Sequence, residues 1–167
     1  MPKLRELQIN DSNKMYEWMT DSEVVSSLVI GRYPNSKEKI HEFIQNSWTD
    51  RNNIHFAIVT DDDEYVGTVS LKNINYIDQS AEYAIAVHKN YWGKEFSKFA
   101  TDEIIEYGFK RLNLYKIYLN VVSSNIRANK FYEKYGFEKE GTFKKHMFLN
   151  GEFVDLNWYC IFNKKAI

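Results

Sequence analysis

Residues 81–112, AEYAIAVHKNYWGKEFSKFATDEIIEYGFKRL, join a strand pattern to a helix pattern through one short turn. The first seven residues alternate as a strand does, and the apolar residues of the last twelve recur at helical spacing. The turn contains Gly93, and backbone N–H groups at a helix start attract an anion such as a phosphate. Lys94 and Lys98 would add positive charge. From this stretch alone, an ordinary strand-to-helix turn is the alternative.

The patterns on either side of this stretch predict further strands and helices. Strands are predicted at 4–9, 53–60, 65–74, 80–88 and 115–122, followed by a closing hairpin of 137–149 and 152–162. Helices are predicted at 11–19, 36–48, 97–112 and 124–137. This order predicts one mixed sheet with helices on its faces, an α/β or α+β arrangement. We expect a single domain over residues 1–167.

Glycine and asparagine mark the ends of two of these elements. Gly136 follows the last predicted helix, where a left-handed C-terminal residue is expected. Asn150-Gly151 separates the last two strands and favours a type I′ hairpin turn.

The composition indicates a folded, intracellular chain. Of 167 residues, 44% are hydrophobic, which excludes a disordered protein. The formal net charge of −1 gives no electrostatic reason to expect a nucleic acid partner. No apolar run is long enough for a membrane helix, and residues 1–10 lack the pattern of a signal peptide. Cys160 is the single cysteine, so an intrachain disulfide is excluded and a cytoplasmic location is expected.

Three polar residues share one face of the helix predicted at 124–137. Asn125, Asn129 and Tyr132 are spaced by four and three residues, so their side chains lie together. A tyrosine beside two amides could act as a hydrogen-bonding acid. The alternative is an ordinary half-buried aromatic residue.

Glu82 is the second residue with chemical potential. In an alternating strand it shares a face with Ala84 and Ala86. A carboxylate among small apolar neighbours can act as a base. It could equally be a solvated residue at the start of a strand.

Other kinds of active site receive no support from the sequence. The four histidines are far apart and lack the spacing of metal ligands, so we expect no metal. The G-x-S-x-G, Walker A and G-x-G-x-x-G motifs do not occur.

Taken together, residues 81–109, 112–141 and 148–153 resemble the GNAT family of N-acetyltransferases. The resemblance is greatest to the branch that contains ribosomal-protein alanine acetyltransferases and spermidine acetyltransferase. Its most specific part is N-x-x-A-x-x-x-Y-x-K-x-G-F, which matches Asn125 to Phe137. The resemblance implies the acyl-CoA N-acyltransferase fold, a single mixed, mostly antiparallel seven-stranded sheet flanked by helices, with acetyl-CoA as co-substrate.

The family pattern for the pyrophosphate loop, Q/R-x-x-G-x-G/A, falls on Trp92 to Ser97 with three departures. Trp92 replaces Gln or Arg, Glu95 replaces the middle Gly, and Ser97 replaces Gly or Ala. Glu95 adds a Cβ and a like charge, so weaker binding is expected, with Lys94 and Lys98 offsetting it. The resemblance implies that CoA contacts Ile85, Ala86, Val87, Trp92, Gly93, Lys94, Glu95, Phe96, Ser97, Lys98, Asn125, Asn129 and Lys134.

The resemblance also implies a mechanism. The strands at 80–88 and 115–122 splay, the pantetheine arm lies in the gap, and backbone groups of Ile85 to Val87 pair with it. Tyr132 would protonate the leaving thiolate, and Glu82 would take a proton from the attacking amine, through water. Transfer would be direct, without a covalent enzyme intermediate.

The acceptor implied by the resemblance is a primary amine: a protein N-terminus, a polyamine or an amino sugar. The 20–35 segment and the final hairpin would bind it, through Arg32, Tyr33, Phe153 and Trp158. A polyamine calls for clustered acids, and 20–35 offers only Asp21 and Glu23. The alternative is a degenerate member that binds CoA weakly or serves as an interaction module. The resemblance is also compatible with a homodimer.

Overall fold

A seven-stranded sheet runs through the centre of the protein. The computed structural model describes residues 1–26 and 28–165, so residues 27, 166 and 167 of the predicted domain lie outside the described residues. The strands are β1 (Lys3–Glu6), β2 (Ile54–Val59), β3 (Tyr65–Asn75), β4 (Ser80–Val87), β5 (Lys116–Val122), β6 (Glu138–Leu149) and β7 (Glu152–Phe162). Their order in the sheet is β1-β2-β3-β4-β5-β7-β6. Only β4 and β5 pair in parallel among them, which confirms the mixed, mostly antiparallel sheet.

The predicted helices form within a few residues of their expected bounds. They are α1 (Ser12–Met19), α3 (Lys37–Ser47), α4 (Phe96–Lys110) and α5 (Ile126–Tyr135), and a further short helix, α2 (Ser22–Val25), follows α1. The Ser36 side chain caps α3 by accepting from the Lys39 backbone N–H at 3.2 Å. Gly136 ends α5 with φ +117°, and Asn150 and Gly151 take φ +51° and +84°, as a type I′ turn requires.

Two hydrophobic clusters hold the helices on opposite faces of the sheet. On one face, α4 buries Ala100, Ile104 and Ile105 against β3, β4 and β5. Gly108 allows this close contact, because a Cβ there would lie 2.9 Å from Ile117 Cδ1. On the other face, α1 and α3 bury Met15, Trp18, Ile40 and Ile44 against Ala57, Val59 and Tyr65. Each aliphatic side chain buried in this way contributes about 1.5–3 kcal/mol of transfer free energy.

The pairing of β4 with β5 stops part-way along both strands. Its register covers Ser80↔Lys116, Ala81↔Ile117 and Glu82↔Tyr118. Beyond that point β4 continues along β3 as far as Val87, and β5 continues along β7 as far as Val122. A gap therefore opens between residues 83–87 and 119–122, which confirms the predicted splay.

None of the helices in the described part of the chain has the length and apolar content that a membrane crossing requires.

Candidate active site

The side of β4 that lines the gap presents main-chain hydrogen-bonding groups. The His88 N–H donates to the Val66 carbonyl at 2.9 Å, and ladder bonds alternate along an antiparallel strand. The backbone of Ala86 therefore faces β3, whereas the N–H and C=O groups of Ile85 and Val87 face the gap. The Val87 carbonyl accepts from the Trp92 indole N–H at 2.8 Å. Because the Ala86 backbone pairs with β3, Ile85 and Val87 are the residues whose main-chain groups can pair with an extended ligand.

The start of α4 closes one end of the gap. Gly93 has φ +75°, a left-handed conformation that a residue with a Cβ adopts only with strain. Glu95 is the N-cap residue, and its side chain makes no capping hydrogen bond. The first N–H groups of a helix have no partner within it, so those of residues 96–98 are directed toward the mouth of the gap. Phe96 packs its ring on Tyr91, so its backbone is the part that faces this mouth.

The two lysines of this turn have partners other than Glu95. Lys98 Nζ forms an ion pair with Asp102 Oδ2 at 2.8 Å. Lys94 Nζ lies over the Tyr91 ring, 5.0 Å from its centroid. Neither contact involves Glu95, so the predicted offset of its charge by Lys94 and Lys98 would act through space, and it stays a prediction.

Tyr132 projects from α5 toward β4 among aromatic rings. Its ring centroid lies 5.9 Å from that of Tyr83 and 5.6 Å from that of Phe137, both in edge-on geometry. Burial raises the pKa of Tyr132 to about 12, and an interaction with the Tyr83 hydroxyl partly opposes this shift. The phenol is therefore protonated at neutral pH, which is the state that a proton donor needs.

Glu82 occupies the last paired position before the strands diverge. Its Oε2 accepts from Asn73 Nδ2 at 2.9 Å, and its Oε1 accepts from Asn120 Nδ2 at 3.0 Å. These two amides hold the carboxylate in one orientation. Because Glu82 and Tyr83 are consecutive in a strand, their side chains lie on opposite faces of the sheet. The gap therefore has Tyr132 on one face and Glu82 on the other, at the same level of β4.

The two asparagines predicted on the face of Tyr132 build the start of α5. Asn125 caps the helix by accepting from the Ala128 N–H at 3.2 Å. Asn129 is buried and donates to the Val122 and Asn125 carbonyls, while its Oδ1 accepts from Asn157 Nδ2 and the Tyr159 hydroxyl. Both polar atoms of the Asn129 amide are hydrogen-bonded to protein partners, which favours a structural role for this residue over the predicted contact with CoA.

Lys134 lies in the last turn of α5, at the end remote from the gap mouth. At 1.5 Å per residue, that is about 12 Å from the first turn of the helix. The neighbouring Tyr135 donates to Asp102 of α4, so this end of α5 lies beside α4, and the contact of Lys134 with CoA stays a prediction.

Sequence reasoning missed Asn73 and Asn120. Asn120 is a polar residue between Leu119 and Val121 in an otherwise apolar strand, a signal that could have identified it. Asn73 has φ +50°, which only the structure shows.

A cleft of about 780 Å³ lies between the α2 region and the β6–β7 hairpin. Tyr33 lines it and is largely exposed, and Arg32 Nη2 donates to the Phe148 carbonyl at 2.8 Å. Asn150 Nδ2 likewise donates to the Ser26 carbonyl at 2.9 Å. The described lining residues are Ser22, Val25, Ser26, Leu28, Arg32, Tyr33, His146, Met147, Phe148, Leu149 and Asn150, and none of them is a carboxylate.

The two remaining residues predicted to bind the acceptor lie outside this cleft. Phe153 packs on Phe148 at the tip of the hairpin, with 66% of its surface exposed. Trp158 lies between the Tyr118 and Phe143 rings on β7, opposite Asn120 of β5. Trp158 is therefore a neighbour of the Glu82 site, whereas Phe153 contacts Phe148, which lines the cleft together with Arg32 and Tyr33.

Comparison with known proteins identifies the family. Residues 3–138 match the model of the acetyltransferase (GNAT) domain. This chain belongs to the GNAT acetyltransferase family. As a GNAT protein it is an acetyl-CoA-dependent N-acetyltransferase that acetylates a primary amine.

Curated GNAT relatives include two bacterial enzymes. Spermidine N(1)-acetyltransferase of Vibrio cholerae is 32% identical over 132 residues, which cover 79% of this chain and 76% of the relative. The Escherichia coli K12 enzyme of the same name is 38% identical over 110 residues, which cover 66% and 59%. A crystal structure of spermidine N-acetyltransferase from Vibrio cholerae in complex with CoA and spermine superposes with a TM-score of 0.91 at 29% identity, covering 99% of this chain and 97% of the other.

The gap has the features that acetyl-CoA requires of a GNAT protein. The main-chain groups of Ile85 and Val87 can pair with the amides of a pantetheine arm. The uncapped start of α4 can receive a diphosphate. Both features lie along the same opening between β4 and β5.

Proposed function

We propose that Tyr132 and Glu82 carry the proton transfers of a direct acetyl transfer in the gap between β4 and β5. The observation that supports this assignment is their placement on opposite faces of the sheet where pairing ends at Glu82. An acetyl thioester in the gap would have its sulfur on the side of Tyr132. The acceptor amine would approach from the side of Glu82, where α1–α3 leave β5 and β7 uncovered.

The chemistry assigns one task to each residue. The amine nitrogen forms a bond to the acetyl carbon while the carbon–sulfur bond breaks. Glu82 receives the proton that the amine loses, because an alkylamine with a pKa of about 10 is protonated at neutral pH. Tyr132 gives its proton to the departing thiolate.

Direct transfer is supported by the state of Cys160. This cysteine is buried on β7, and burial raises the pKa of its thiol to about 11. A thiol that stays protonated at neutral pH is a poor nucleophile.

For the acceptor we propose a polyamine first, because the relatives and the structural neighbour named above act on spermidine or bind spermine. A second candidate, a protein N-terminus or an amino sugar, is favoured by the cleft beside the hairpin. That cleft contains Arg32 and His146 and lacks a carboxylate among its described lining residues, which is unfavourable for a polycation.

An acetylation assay that measures thiol release from acetyl-CoA tests the function. The acceptors are spermidine, a peptide with N-terminal alanine, and glucosamine. Release with one of them, at least tenfold above hydrolysis, supports the proposal and selects the acceptor. Binding of acetyl-CoA without transfer to any amine would instead indicate an interaction module.

Glu82→Gln distinguishes a role of Glu82 as the catalytic base from a purely structural role. It preserves the size of the side chain and one of the two acceptor oxygens. It should lower the rate most at acidic pH, where removing a proton from the amine limits the reaction. Glu103→Gln on the exposed side of α4 is the matched control. An unchanged pH profile for Glu82→Gln would remove the proposed base.

A further inference from the structure

Trp92 and Arg127 meet at the mouth of the gap, from opposite sides of it. Trp92 follows β4 and is fixed in place, because its indole N–H donates to the Val87 carbonyl and its ring packs on both hydrophobic clusters. Arg127 lies in the first turn of α5, and its guanidinium carbon is 4.9 Å from the Trp92 ring centroid. The contact links the starts of α4 and α5.

Arg127 is placed where its own helix disfavours a cation. The N-terminal end of a helix carries a partial positive charge, so acidic residues are the stabilising choice in a first turn. The first turn of α5 has no acidic residue, and Arg127 is exposed there. Helix stability therefore gives no reason for an arginine at this position.

The guanidinium keeps its hydrogen-bond donors available. None of the ion pairs formed within residues 1–26 and 28–165 includes Arg127, whereas Lys98 is paired with Asp102. An aromatic face attracts a guanidinium without using its N–H groups, which point outward in the plane of the group. Those donors match the oxygens of a phosphate in a bidentate arrangement.

We propose that Arg127 binds the diphosphate of CoA, with the Trp92 ring as its platform. This inference rests on the proposed function, in that it places CoA in the gap with its diphosphate at the start of α4. The side chain at position 92 is apolar and turned inward, so it brings no charge to the loop. Arg127 supplies that charge from α5, opposite the carboxylate of Glu95.

Titration calorimetry with CoA, 3′-dephospho-CoA and pantetheine tests the proposal. Arg127→Gln should weaken CoA about tenfold, as expected for loss of a charge-assisted hydrogen bond. The loss should persist with dephospho-CoA, which retains the diphosphate, and vanish with pantetheine, which lacks it. The salt dependence of CoA binding should also decrease. Lys130→Gln, an exposed change on the same helix, is the matched control.

Three outcomes would overturn the inference. Unchanged CoA affinity in Arg127→Gln would show that the guanidinium does not reach the ligand. An equal loss for pantetheine would indicate a structural role. A loss with CoA that disappears with dephospho-CoA would assign Arg127 to the 3′-phosphate. These are binding measurements, so they remain valid even if no acceptor amine is acetylated. If Arg127→Gln keeps both acetyl transfer and CoA affinity, only the Arg127 inference is overturned, and the proposed function is not.

Discussion

The starts of α4 and α5 follow the two parallel strands that diverge, yet they are built in different ways. At α4 the N-cap residue is Glu95, and its side chain makes no capping bond. At α5 the N-cap residue is Asn125, which caps the helix, and Asn129 one turn later is fully hydrogen-bonded inside the protein. A helix whose first backbone N–H groups have no side-chain cap can donate them to a ligand. A helix whose first N–H groups are capped by a side chain is itself stabilised.

We therefore propose that the start of α4 serves ligand binding and that the start of α5 serves stability. Tyr132 and Arg127 are the two side chains of α5 that we propose take part in the reaction. Four substitutions test this division, from the largest expected effect to the smallest.

Tyr132→Phe should lower kcat by about 10³-fold, because the proton donor is lost while the aromatic packing is retained. The Kd of acetyl-CoA should stay within about twofold. The pKa of Tyr132 is raised to about 12, so the wild-type rate should not fall through loss of this proton between about pH 7 and pH 10.

Tyr135→Phe is the control for this change, since it removes a phenol hydroxyl from the same helix, one that donates to Asp102 at 2.7 Å. Steady-state kinetics measure both variants. Equal kcat in wild type and Tyr132→Phe would remove Tyr132 from its role as proton donor and leave Arg127 as the functional side chain proposed for α5.

Asn129→Ala should lower the free energy of unfolding by about 2 kcal/mol, because the buried partners of the amide lose their hydrogen bonds. These partners are three backbone carbonyls and the side chains of Asn157 and Tyr159. Urea unfolding measures the loss, and calorimetry at a temperature where both proteins are folded should give the same Kd for acetyl-CoA. A specific loss of acetyl-CoA affinity with unchanged stability would return Asn129 to the binding site.

Asn125→Ala should cost about 1 kcal/mol of stability, the usual value of a helix N-cap. Asn125→Ser restores a capping oxygen and should recover most of the loss. Thermal unfolding of the three proteins checks the order. If Asn125→Ala is as stable as wild type, the cap at α5 is not the stabilising feature described above.

Glu95→Gln should tighten acetyl-CoA binding about three- to fivefold, because it removes an exposed like charge beside the diphosphate. The gain should shrink as salt is raised. Stability should fall by less than about 1 kcal/mol, since Glu95 makes no capping bond and only its charge favours the helix N-terminus. Calorimetric titration at low and high salt measures it. Weaker binding in Glu95→Gln would show that the carboxylate is not a repulsive element and that α4 does not differ from α5 in the way proposed.

Much of the fold could be predicted from the sequence because the signals are local. The left-handed conformations at Gly93, Gly136 and the Asn150-Gly151 turn follow from residues that tolerate positive φ. The order of strands and helices follows from apolar periodicity, and the motif ending at Phe137 identified the family. Tyr132 and Glu82 could be proposed as site residues for the same reason, because the face on which each side chain lies follows from its position within its own helix or strand.

What only the tertiary structure decided is which side chains share partners across elements. Asn129 has the spacing of a site residue, but the partners that bury it come from β5 and β7. Glu82 is held by Asn73 and Asn120, which are 9 and 38 residues away. Lys94 and Lys98 belong to the predicted loop segment, yet their side chains contact Tyr91 and Asp102. Arg127 contacts Trp92 of that segment from another helix, α5. Spacing within one helix or strand fixes only the face on which a side chain lies, and its partners depend on how the elements pack together.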